Sequence, residues 1–115
     1  MLTAIVAMQK EADALLSQAD SVREKSLFGK KIFEGTAFGH AFALVLSGVG
    51  KTNAAAATML AVSALGAKKL LNFGLAGGIS DAAPLFGVLH VVRAVQYDFD
   101  LSEVNGTPKG TLNEY

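Results

Sequence analysis

Glu11 is the residue whose type and position in this chain best suit proton transfer. It follows directly on an apolar run, residues 2–8, and opens a segment whose apolar residues recur at helical spacing. A carboxylate at the end of a strand and in the first turn of a helix is favoured by the helix dipole, and open α/β sheets also bind ligands at that edge. The same position therefore suits a structural helix-start acid and a general base.

Two glycine-rich bends could approach a ligand through their main chain. The first, Ser47-Gly48-Val49-Gly50-Lys51, separates an apolar strand from a helix, and the second, Asn72-Phe73-Gly74-Leu75-Ala76-Gly77-Gly78, ends another apolar run. Glycine admits positive φ and close backbone approach, so both bends suit binding as well as plain strand exits. The Gly50-Lys51-Thr52 text is not a P-loop, because the glycine required five residues before the Gly-Lys pair is Val45, still inside the strand.

Other chemistry is scarce. There are no cysteines, which removes disulfides and thiolate catalysis, and two histidines are too few for a histidine-rich metal site. His40 falls in a turn and is expected to face solvent, while His90, inside a strand-like run, reads as a structural histidine. Ten basic residues balance ten acidic ones without a basic run, which argues against nucleic acid and favours a small ligand. The longest uncharged run, residues 52–67, is interrupted by polar residues and falls short of a membrane span, so no membrane partner is expected. The first residues lack the basic start of a secretory signal, and a soluble protein of the cytoplasm is expected.

The elements that must position these groups follow from apolar patterning. A composition 51% hydrophobic and 17% charged favours close-packed α/β layers over a disordered chain. Residues 2–8 read as a buried strand running into the helix of Glu11, and residues 17–25 as the helix end and a loop. Residues 26–38 and 41–46 read as an antiparallel hairpin around Phe38-Gly39-His40. An alanine-rich buried helix is expected over Asn53 to Leu65, with Met59 in the core and Gly66 as its stop. Lys69 to Asn72 forms the next strand, residues 79–86 an irregular connection, and Val88 to Val95 a further strand. Only two good helices are available to cover such a sheet.

Taken together, Ile5-Val6-Ala7-Met8-Gln9-Lys10-Glu11, the 47–51 bend, the 72–78 bend and Tyr97-Asp98-Phe99-Asp100 resemble four successive landmarks of the nucleoside phosphorylase superfamily. The resemblance is greatest to its 5′-methylthioadenosine/S-adenosylhomocysteine nucleosidase branch. It covers residues 1–115 as the amino-terminal part of a single phosphorylase-like domain, in families whose members are about twice as long. It implies a three-layer α/β/α sandwich on a twisted mixed sheet.

The resemblance also implies a role for each matching residue. Glu11 corresponds to the general base that activates the attacking water. Met8 corresponds to a residue lining the ribose, Val49 to one near the alkylthio-ribose, and Ala76 and Gly77 to backbone bordering purine and ribose. Leu75 stands in the second bend where many nucleosidases carry a serine, and Leu101 resembles a base-facing apolar residue. Asp98 stands where many relatives have a histidine, and neither it nor Asp100 substitutes for the family's proton-donating aspartate, which belongs to the other half together with the ribose-binding glutamate.

Cleavage of an N-glycosidic bond passes through an oxocarbenium-like state, so a carboxylate against water and a proton donor at the leaving purine share the work. The implied activity is hydrolysis of purine nucleosides in purine and methionine salvage, by a homodimer without cofactor or metal. Phosphorylases of the superfamily bind phosphate partly through arginines near the first strand's exit and before the second bend. Those places hold Gln9, Lys10 and Leu70-Leu71-Asn72, which favours water as nucleophile. Phosphorolysis, and a non-catalytic half-domain that binds nucleoside or dimerises, are the alternatives.

Overall fold

A computed structural model describes residues 1–110, with the side chain of Asn105 excepted. It divides into two compact units, Met1–Gly77 and a second that begins at Gly78. The first unit carries the sheet. Its elements are β1 (Leu2–Val6), α1 (Gln9–Leu16), β2 (Ala19–Leu27), β3 (Lys30–Ala37), β4 (His40–Leu46), α2 (Lys51–Leu65) and β5 (Lys69–Asn72), and the sheet order is β2-β3-β4-β1-β5.

The central strands are apolar on both faces because both faces are covered. β1 pairs in parallel with β4, Leu2 opposite Phe42 through Val6 opposite Leu46, and with β5, Leu2 opposite Lys69 through Ile5 opposite Asn72. Alternate residues therefore enter two separate cores. On one face Ala4, Val6, Phe33, Phe42 and Leu44 pack with Ala12 of α1, and on the other Ile5, Ile32 and Val45 pack with Ala57, Leu60 and Ala61 of α2. Helix, mixed sheet and helix make the three-layer α/β/α arrangement that the sequence implied.

Several expectations need correction. Residues 17–25 are largely strand β2, antiparallel to β3, and not a loop. This is an edge strand with mostly exposed side chains, so its sequence lacks an apolar alternation. It is held instead by ladder bonds, by the Ser21–Thr36 hydroxyl contact at 3.0 Å, and by Lys25–Glu34 and Lys31–Glu24 ion pairs at 2.6 and 3.3 Å. The expected single arm 26–38 is broken by a tight turn at Phe28-Gly29, φ 49° and 74°, which repeats at Phe38-Gly39 with φ 52° and 74°.

Helix α2 begins two residues before the expected Asn53, and Gly66 ends it at φ 65° as expected. It buries one face only. Met59 is 66% exposed and Val62 48%, because nothing among the described residues covers the outer side. In the second unit, residues 88–95 form no strand ladder: no strand among the described residues pairs with them, and Val88 and Val92 are almost wholly exposed. His90 is accordingly exposed, as is His40, which opens β4 just after the expected turn. Among the described residues of this unit the one helix is α3 (Ser102–Asn105).

Candidate functional site

Parallel pairing brings the carboxyl ends of β1, β4 and β5 to one edge of the sheet, where open α/β sheets place their ligands. Side chains tie these ends together. The Ser47 N–H donates to the Val6 carbonyl at 2.8 Å, and its hydroxyl donates to the same carbonyl at 3.2 Å. On the other side of β1 the Asn72 Nδ2 donates to the Ile5 carbonyl at 2.9 Å. The two glycine bends thus leave the sheet on either side of β1's exit.

Glu11 stands at that exit, in the first turn of α1 and only 9% exposed. Its Oε2 accepts the Met8 N–H at 3.1 Å, a contact that caps the helix start. Its Oε1 accepts the Leu75 N–H at 2.9 Å, from a residue 64 positions away in the chain. The structural and the catalytic reasons for an acid are therefore compatible here, since one oxygen serves the helix and the other reaches the second bend. Each oxygen has a further lone pair with which to accept a hydrogen bond from water.

Gly74 makes this possible. A Cβ at this position would lie 2.7 Å from Glu11 Oε1, closer than real Cβ atoms approach, so with any side chain here the carboxylate would have to shift from where it stands. Positive φ, in contrast, falls at Gly48 (85°) and Gly50 (98°) of the first bend, whereas Gly74, Gly77 and Gly78 stay outside the left-handed region. The two bends use glycine for different reasons.

Of the remaining candidates, Met8 is partly exposed beside Glu11, and Val49 is exposed in the first bend. The side chain of Leu75 is 87% exposed, and only its N–H engages Glu11. Ala76 and Gly77 follow it, both exposed. Leu101 belongs to the second unit, half-buried at the start of α3. There Asp100 accepts from the Ser102 hydroxyl at 2.6 Å and from its N–H at 3.0 Å, which in that order hold its carboxyl below the ordinary value. Among the described residues no cluster of three or more His, Asp or Glu is placed to hold a metal. Sequence reasoning missed Ser47, Asn72 and Lys30 as ties between strand ends; a polar residue just where each apolar run stops was the signal for the first two.

With this geometry in view, comparison with known proteins becomes decisive, because the phosphorylase superfamily model matches residues 2–110. The chain belongs to the phosphorylase superfamily. Within the superfamily it is 44% identical over 68 residues to a 5′-methylthioadenosine/S-adenosylhomocysteine nucleosidase of Treponema pallidum, covering 59% of this chain and 25% of that protein. It is 28% identical over 116 residues to the nucleosidase of the same description from Bacillus cytotoxicus, covering 95% of this chain and 50% of the relative. Among solved structures, futalosine hydrolase of Helicobacter pylori superposes with a TM-score of 0.88 at 25% identity, over 99% of this chain and 49% of the other. The Neisseria meningitidis nucleosidase bound to methylthio-immucillin-A superposes with a TM-score of 0.78 at 28% identity, over 96% of this chain and 48% of the other. The chain spans about half the length of the curated relatives it matches over most of its length.

Proposed function

We propose that this chain carries the water-activating side of a purine nucleosidase site, hydrolysing the N-glycosidic bond of 5′-methylthioadenosine/S-adenosylhomocysteine-type nucleosides. The observation that carries this reading is Glu11, buried where β1, β4 and β5 end and anchored through both oxygens by the N–H groups of Met8 and Leu75. A carboxylate so fixed takes a proton from water as water attacks the anomeric carbon, and the oxocarbenium-like charge that develops is met by the same negative group. Met8, Val49 and the backbone of residues 75–77 line the ribose and purine. The proton donor to the leaving purine and the ribose-binding acid come from outside residues 1–115, in a homodimer working in the cytoplasm.

Water is the nucleophile in this reading because Gln9, Lys10 and residues 70–72 offer no guanidinium to bind phosphate bidentately. Protein expressed from its full reading frame should release adenine from 5′-methylthioadenosine without phosphate, and strict phosphate dependence would instead make it a phosphorylase. Glu11→Gln keeps the shape of the side chain and removes the base, so turnover should fall by about two orders of magnitude or more. The second reading, a nucleoside-binding half-domain, is favoured by the chain's spanning about half of its relatives. It requires that the wild type bind 5′-methylthioadenosine without cleaving it and that Glu11→Gln keep that affinity.

A further inference from the structure

Lys30 is a half-buried cation that plays no part in the reaction as described. It opens β3 just after the Phe28-Gly29 turn, and antiparallel pairing sets this end of β3 beside the carboxyl end of β4, with Lys31 opposite Leu46. Its Nζ donates to the Ser47 carbonyl and to Asn53 Oδ1, the latter at 2.7 Å. Asn53 in turn donates its Nδ2 to the Val49 carbonyl at 2.8 Å. One ammonium therefore reaches the bend 47–50 directly at Ser47 and, through the Asn53 amide, at Val49.

The bend needs such ties. With Gly48 and Gly50 in the left-handed half of φ space, it contains two residues that lose the most conformational freedom on ordering. An ammonium at the amino end of α2 also faces the positive end of the helix dipole, joined there by Lys51 at the first helical position. The Ser47 carbonyl and the Asn53 amide oxygen are the acceptors that hold it against that field.

We propose that Lys30 is a positioning residue: it clamps the Ser47–Gly50 bend and so fixes where Val49 stands at the edge of the nucleoside site. The step from bend to nucleoside rests on the function proposed above, whereas the clamp itself does not. Glu11 is anchored separately, by Met8 and Leu75, so Lys30 acts on binding and leaves the water-activating group in place.

Lys30→Met keeps the aliphatic stem and removes the donors, and Lys30→Arg restores them. In ¹⁵N relaxation of the 115-residue chain, the Val49 and Gly50 amides should drop from rigid values of about 0.85 toward 0.6 in Lys30→Met and recover in Lys30→Arg. Unchanged order at both amides, or a loss spread evenly over β2, β3 and β4, overturns the clamp. In protein from the full reading frame, Lys30→Met should raise KM for 5′-methylthioadenosine about tenfold, the worth of a charge-assisted hydrogen bond. The value of kcat should stay within about threefold and its pH profile should not move. A fall in kcat at constant KM overturns the action through Val49. A wild type that neither binds nor cleaves nucleosides overturns the nucleosidase reading, and the relaxation measurement still decides whether Lys30 holds the bend.

Discussion

At the scale of single residues, the site depends on a missing side chain as much as on a present one. Glu11 accepts the Leu75 N–H at 2.9 Å from a position that a Cβ on Gly74 would crowd to 2.7 Å, so a side chain there would force the carboxylate or the bend to shift. Gly74→Ala should therefore push the carboxylate off its second anchor and cost the Leu75 N–H its bond to Glu11. The expected cost is about 1 kcal/mol in urea unfolding, the net worth of one hydrogen bond, with a loss of turnover approaching that of Glu11→Gln. A variant that keeps both stability and turnover would show that the carboxylate has room to move. Leu75 carries a different lesson: its exposed side chain replaces the serine that the family resemblance led one to expect, yet its backbone makes the contact with Glu11. A main-chain donor is indifferent to side-chain identity, so this contact survives the replacement of serine by leucine. The place of Glu11, at a strand's end and in a helix's first turn, was legible because an apolar run passes there into helical spacing. The role of Gly74 was not, since nothing in the sequence says that residues 11 and 74 meet.

At the scale of elements, what could be read depended on burial. β1, β4 and the core face of α2 are covered by neighbours, and their sequences show it as apolar runs. β2 is held by ladder bonds and exposed ion pairs, which leave no periodic trace, and residues 88–95 have a strand's composition without a partner to hydrogen-bond. The two hairpin turns contain the same oddity, a phenylalanine at positive φ ahead of a glycine, where asparagine or glycine is usual. At Phe28 the ring is 84% exposed, so little packing offsets the strained backbone. Phe28→Asn should accordingly raise stability by about 1 kcal/mol, seen as a shift in the urea midpoint at constant m-value. Phe38 is a less clean comparison, because it lines a cavity of about 440 Å³ on the α1 face of the sheet with Leu2, Phe42, Leu71 and Phe73.

At the scale of the whole molecule, apolar surface is left over. Val88, Val92, Leu85, Phe86 and Ile79 are all at least 85% exposed, more than single scattered side chains account for. β5 pairs only with β1 among the described residues, which leaves its outer edge open to another strand. The 115-residue chain on its own should therefore associate. Sedimentation should give a mass that rises with concentration above 11.9 kDa, and Val88→Ser with Val92→Ser should lower it. A concentration-independent monomer of that mass would mean that these valines need no cover. No helix among the described residues is long and apolar enough to cross a membrane, so these surfaces do not form a helical membrane span.

The two anchors of Glu11 also carry information about the order of events in folding. The bond to Met8 spans three residues and can form as soon as α1 does, while the bond to Leu75 spans 64 and needs β5 to have docked beside β1. Contacts so distant in sequence form late, after the loop-closure entropy of the β4–α2–β5 crossover has been overcome. Glu11 thus acquires its final orientation only with the pairing of β5 to β1. The state of its carboxylate, followed by isotope-edited infrared during refolding, would serve as an internal clock for completion of the sheet.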